Sequence, residues 1–320
     1  MRLVEDGDEE GEVGYAGTGG GRSARLADFV RAGALAAILL PALAARADAY
    51  TAAGDRLFPA TILLPQIAPS DEFYITTTTQ QPASGSRLTN PSAVYNKTIT
   101  ERLSVGVEDG YNWLSQAGGP TFTGWQNLQT RVKYLAILDP ADEFLLSAGV
   151  NREWGGTGTA RSGASAKGAT APSITLGKGM GELGPDYLRP FAVAALFGYA
   201  IGDAAPRPNW WQAGFALEYS IPYLESKVES VALPALIRNM TPMVEVFSMT
   251  PSGNSYGKKA QLSIAPGVSY AGEGWELGIE ALVPATRATG VGLGVAAQLH
   301  FALDYLFAGS VLGKPIFSAE

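Results

Sequence analysis

Beyond residue 70, apolar side chains recur at every second position with small or polar ones between, in runs broken by turn signals. In 126–138, Leu128, Val132, Tyr134, Ala136 and Leu138 share one face, and Gln129, Arg131 and Lys133 the other. In 260–270, Leu262, Ile264, Pro266, Val268 and Tyr270 alternate with Gln261, Ser263, Ala265, Gly267 and Ser269. In 274–283, Trp275, Leu277, Ile279, Ala281 and Val283 alternate with Glu276, Gly278 and Glu280. In 290–305, Val291, Leu293, Val295, Ala297, Leu299, Phe301, Leu303 and Tyr305 alternate with Gly292, Gly294, Gln298, His300 and Asp304. A period of two marks a strand. The last run exceeds the roughly 5–6 residues of a soluble strand, and a tilted membrane strand needs about 9–11. Weaker strand candidates are 72–80, 94–108, 143–152, 172–181, 190–201, 209–221 and 242–250, with 223–239 either a strand or a loop with a helical turn.

The second face of these runs carries Gly, Ala, Ser, Gln and a few charges rather than the dense Lys, Glu and Thr of a sandwich facing bulk water. The predicted fold is all-β: an antiparallel transmembrane β-barrel of the outer-membrane type, with about 12 strands, or roughly 10 as the alternative. Trp113, Trp125, Trp154, Trp210, Trp211, Trp275, Tyr223, Tyr270 and Tyr305 fall near strand ends, as interfacial girdles require. Asp139–Asp142 and Ala271–Gly274 read as short periplasmic turns. The Gly/Ser/Thr stretch from Gly155 to Ala171, the segment 250–259 and the segment 109–124 read as outward loops.

Upstream, Ala34–Ala45 forms an apolar run that is too short to span a bilayer, which takes about 20 residues. It follows Arg25 and Arg31 and ends in Ala47-Asp48-Ala49, a small-x-small cleavage site. Residues 1–49 are therefore predicted to be an N-terminal extension plus signal peptide cleaved after Ala49, with 50–320 a single barrel domain. Residues 1–24 are acidic and Gly-rich where a signal opens with positive charge, so translation is expected to start near Val30.

Composition narrows the chemistry. The 320 residues carry a net charge of −7, without a Lys/Arg-rich block that would mark nucleic-acid binding. There are no cysteines and one histidine, so thiolate and two-His metal sites are excluded. His300 could join a Ser-His-Asp arrangement, but beside Gln298 and Asp304 it reads as a lumenal hydrogen-bonding group. Gly177-Lys178-Gly179-Met180-Gly181 lacks the Lys-Ser/Thr ending of a phosphate loop and reads as strand. No catalytic residue, metal or cofactor is expected. The remaining functional candidates are charges predicted to face the lumen or lie near its rim: Arg102 (or Glu101), Arg131, Lys133, Glu218, Glu276, Glu280, His300 and Asp304. Such charges tune selectivity in an open pore, or neutralise one another in a filled one.

Segments Gly214–Tyr223, Val244–Phe247, Ile264–Tyr270 and Trp275–Ile279 resemble a group of proteobacterial outer-membrane proteins assigned to transport in the phenol meta-degradation pathway. The resemblance covers the last third of the chain. It implies passive uptake of small solutes, aromatic or hydrophobic ones among them, and brings no catalytic residues. The chain departs from the usual barrel ending: it stops at Phe317-Ser318-Ala319-Glu320, so the last strand is expected within 299–307 or at 310–317. The expected partners are the lipid bilayer of the outer membrane and small-molecule solutes, with no nucleic acid. The competing readings are a plugged structural or adhesive barrel whose loops bind a partner, and a soluble periplasmic β-protein.

Overall fold

The computed structural model describes residues 51–82 and 84–317, so the predicted signal peptide and its cleavage site lie outside the described residues. In chain order the strands are β1 (Thr51–Ala53), β2 (Arg56–Phe58), β3 (Glu72–Gln81), β4 (Arg87–Thr100), β5 (Leu103–Ser115), β6 (Thr121–Trp125), β7 (Gln129–Asp139), β8 (Phe144–Glu153), β9 (Ala169–Gly179), β10 (Phe191–Gly202), β11 (Asn209–Tyr219), β12 (Met240–Ser252), β13 (Gln261–Ala271), β14 (Trp275–Pro284) and β15 (Gly292–Ala302). Neighbours pair antiparallel, β3 pairs both β4 and β15, and β4 pairs β5, which closes a barrel of 12 strands. β6 lies outside that ring and extends β5 as a hairpin. Closure leaves no free edge in the ring of 12 strands, which is what a lipid environment demands of strands.

The alternation sets the two faces. Val105, Val107, Val132, Val150, Ile174, Phe215, Leu217, Val244, Ile264, Ile279 and Val295 point outward and are exposed, a continuous apolar belt around the wall. Aromatic pairs band it at both ends. At one end Tyr111 meets Trp113 and Trp125 at 5.0 and 5.3 Å, and Tyr199 meets Trp211 at 4.5 Å. At the other end Phe191 meets Tyr219 at 4.8 Å and Tyr270 meets Trp275 at 5.7 Å. Such a belt between aromatic bands is the outer surface of a membrane-spanning barrel. Three aromatics predicted for the bands lie elsewhere. Trp210 alternates with Trp211 and so turns inward, 8% exposed against 45%. Tyr223 and Tyr305 follow the last residues of their strands.

Asp139–Asp142 and Ala271–Gly274 lie at one end, here the lower end, while 154–168 and 253–260 connect strands at the opposite, upper end. The lower end also carries the long connection 220–239, which is helical at Ile221–Tyr223 and Ala235–Arg238 and not a strand. Ser220 Oγ accepts the Tyr223 N–H at 3.2 Å and caps that turn.

Three boundaries differ from the sequence pattern. The predicted strand 94–108 is two strands, because the chain reverses at Glu101–Arg102 after an irregularity between Thr98 and Thr100. The predicted loop 109–124 is mostly strand: Asn112 and Leu114 turn inward and Tyr111 and Trp113 outward up to Ser115, and the reversal occupies only 116–120. The run 290–305 stops at Ala302, where the chain coils into Leu303–Leu306. Residues 310–317 are not a strand; the Ile316 and Phe317 N–H groups donate to Thr98 and Ile99 carbonyls at 3.2 and 2.8 Å.

Candidate functional site

Between the first hairpin and β3 runs Pro59-Ala60-Thr61-Ile62-Leu63-Leu64-Pro65-Gln66-Ile67-Ala68-Pro69. Its prolines at 59, 65 and 69 cannot donate to a ladder. The segment folds instead into the barrel's interior. Phe58, Leu64, Ile67, Ala68 and Ala53 form one buried cluster with Leu135, Leu145, Ala192, Ala194, Leu196 and Ala216 of the wall. The wall makes room through small residues. A Cβ at Gly214 would lie 3.0 Å from Leu64 Cγ, one at Gly177 2.7 Å from Ile67 Cδ1, and one at Gly278 3.2 Å from Ile62 Cδ1. The small residues on the second face are thus a cradle for residues 51–71, which plug the lumen.

Lumenal carboxylates hold the plug by its backbone. Glu245 accepts N–H groups from Ile62 at 2.6 Å and from Leu63 and Leu64 at 3.0 Å each. Glu276 accepts the Ala60 N–H at 2.9 Å and the Ser269 hydroxyl. Gln298 donates to the Thr61 carbonyl at 3.3 Å, and Thr175 to the Ile67 carbonyl at 3.0 Å. Each bond replaces water that a proline-rich strand-less segment would otherwise keep, which is how a non-helical backbone becomes tolerable inside a membrane protein. At the lower end Arg56 is fully buried. It bonds Glu143 at 3.2 Å and the Pro190 and Arg189 carbonyls at 3.1 and 2.5 Å, and its guanidinium lies 3.8 Å from the Tyr223 ring centre. The long connection 220–239 thereby closes over the hairpin.

These bonds all run to β9 and β12–β15 or to the lower turns. The rest of the interior is largely polar on β3, β4, β5, β7 and β8, apart from Leu135 and Leu145, which pack against the plug. There Arg131 pairs with Glu108 and donates to Tyr74 Oη at 3.1 Å. Asn96 donates to Glu72 at 2.5 Å, His300 Nε2 meets the other Glu72 oxygen at 2.9 Å, and Asn151 donates to Gln129 at 2.9 Å. Gly106 opposes Arg131; a Cβ there would collide with Asn96 Oδ1 and Arg131 Cγ, so only glycine admits that network. A cavity of about 150 Å³ remains between plug and wall, lined in part by Phe58, Leu135, Leu145, Glu72 and His300.

The predicted lumenal residues divide as follows. Arg131, Lys133, Glu218, Glu276, Glu280 and His300 lie on the inner face of their strands. Glu280 neighbours Glu245 across β13, and Glu218 is fully buried facing the plug hairpin, within electrostatic reach of Arg56. Two sit elsewhere. Arg102 is in the exposed β4–β5 reversal and reaches the Ala136 carbonyl at 3.5 Å. Asp304 falls past the end of β15, in the coil that begins where the Leu303 N–H bonds Asp71 O, and it lines the cavity. Glu245, Arg56, Glu143, Glu108, Tyr74 and Glu72 were not singled out by pattern. Their one sequence signal is the aperiodic apolar, proline-spaced segment 58–69, which has to be buried somewhere.

No protein-family model matches the chain, and its sequence matches no curated protein. An outer membrane channel from Pseudomonas putida F1 has a similar structure, with a TM-score of 0.50 at 9% identity over 77% of this chain and 99% of that one. KdgM porin aligns at 0.44 and 9% identity, and NanC porin at 0.45 and 11%, each over 72% of this chain and 98% of the other. At such identities the likeness concerns the fold, an outer-membrane-type β-barrel.

Proposed function

We propose that the protein is an outer-membrane channel for small solutes whose lumen is closed by its own N-terminal segment, with the lower end periplasmic. The observation that supports this most is the division of the lumen. One side is a fitted cradle for residues 51–71, while the other is a wall of hydrogen-bonding and charged side chains suited to a hydrated path. Export by a cleaved signal and kinship with the phenol meta-pathway group belong to this proposal, and the similarity of the barrel to a known channel is consistent with it.

Planar-bilayer recordings test the reading. The mature chain is expected to show rare, brief openings, and a variant lacking residues 51–71 long-lived steps of constant size. A deletion variant that keeps the heat-resistant compact mobility of a folded barrel yet conducts nothing would favour the plugged structural barrel instead.

A further inference from the structure

We propose that the coil 303–317, which follows the last strand, is a lipid-contacting collar. It lies on the barrel's outer face at the lower end and seats its apolar side chains at the boundary between headgroups and acyl chains. The inference rests on the barrel wall and holds whether or not the lumen conducts. Register fixes the face. Lys97 of β4 stands directly across from Val105 of β5, an exposed member of the apolar belt, and directly opposed residues point to the same side of a sheet. Lys97 therefore projects outward, yet it is buried. Its Nζ donates to Asp71 and to the Lys314 carbonyl, both at 2.7 Å. The coil is tied down along the same rim: the Leu303 N–H donates to Asp71 O at 2.8 Å, and the Ile316 and Phe317 N–H groups donate to the end of β4. A cation facing lipid is costly unless it is paired; here Asp71 pairs it and the coil covers it.

An aromatic row sets the level. Trp275, Phe301, Phe73 and Tyr95 are successive cross-strand partners on β14, β15, β3 and β4. Lys97 is the next outward residue below Tyr95. Trp and Tyr at a barrel rim sit at headgroup level. At the other end of the row, a Cβ on Gly274, the residue before Trp275, would lie 2.7 Å from Leu306 Cδ2 and Tyr305 Cδ1. The coil thus runs beneath the row from β14 to β4. On it Leu306, Phe307, Val311, Leu312, Ile316 and Phe317 are exposed, an apolar surface joined to the belt through the aromatic row. Of the coil's two charged residues, Asp304 lines the interior cavity and Lys314 is exposed, where its long stem can carry the ammonium to the headgroups. The leaflet that already covers the belt is therefore the partner that fits this surface.

The chain has no natural cysteine, so a single introduced one can carry an environment-sensitive dye. Phe307→Cys and, independently, Val311→Cys are labelled with a nitrobenzoxadiazole dye, with Phe215→Cys in the belt and Lys259→Cys in the upper connection as references. The folded barrels are placed in phosphatidylcholine vesicles that contain lipid spin-labelled either high on the acyl chain or near its end. Labels at 307 and 311 are expected to emit to the blue of the Lys259→Cys label. They should lose most of their emission to the shallow spin label and less to the deep one, whereas the Phe215→Cys label is quenched more by the deep one. Water-like emission at 307 and 311 would overturn the proposal. So would blue-shifted emission that neither spin label quenches, because a second copy or another protein would then cover the coil. Neither readout involves conductance, so the collar can fail while the channel reading stands, and the reverse.

Discussion

Glu245→Ala is the sharpest single perturbation of the plug. In the closed state that carboxylate accepts three consecutive backbone N–H groups, from Ile62, Leu63 and Leu64. Removing it strands three donors where water has little access, and each stranded donor costs about 1–3 kcal/mol. The displaced plug keeps those groups hydrated, so the loss falls on the closed state alone. Taking the lower bound, about 3 kcal/mol, the closed-to-open ratio falls by about 150-fold. Glu245→Gln retains one oxygen acceptor and should give an intermediate effect. The assay is open time in single-channel records, with maleimide labelling of Leu63→Cys as a second readout. The chain has no natural cysteine, so the label reports one site. Unchanged open time and unchanged labelling in a folded Glu245→Ala barrel would refute the idea that this carboxylate holds the plug.

Other consequences are independent of that site. Arg56→Ala leaves Glu143 buried without its partner, a change worth about 3–5 kcal/mol when one member of a buried pair is removed; faster protease cleavage within 51–58 in an otherwise folded barrel is the expected result, and an unchanged rate contradicts the clasp. At the upper end, hydrogen bonds from Arg152 at 2.5 and 2.7 Å hold the Asp203 carboxyl below the usual aspartate range. The folded value lies below the unfolded one, so the pair contributes above the unfolded value and is lost as pH falls through the lowered one. Carbon-13 titration of Asp203 should show a depressed midpoint that rises in Arg152→Gln; identical midpoints would remove Arg152 as the cause.

Much of the wall was legible in sequence because lipid imposes a strict rule on one face. In β13, β14 and β15 every second residue is apolar, and the opposite face is small enough to leave no doubt about which side is which. The reversal at Glu101–Arg102 was hidden because it uses neither Gly nor Pro, whereas Gly110, Gly118, Gly119 and Pro120 drew a loop over residues that are largely strand. Trp210 and Trp211 show the limit of composition: adjacent tryptophans sit on opposite sides of the wall, and only register tells them apart. The plug was illegible for a different reason. Residues 58–69 have no period to read, and their partners Thr175, Glu245, Glu276 and Gln298 are distant in sequence. Charges on the inner face could be found by alternation, but alternation cannot say which of them grip a backbone and which face open space.

A disulfide across the plug interface addresses the central claim most directly. Gly214 Cβ would stand 3.0 Å from Leu64 Cγ, which puts cysteines at these two positions near disulfide geometry. In a Leu64→Cys/Gly214→Cys double variant the oxidised channel should stay silent in a planar bilayer, and openings should return on reduction. Steps that persist with the disulfide formed, or silence in both states, would contradict a lumen gated by its N-terminal plug.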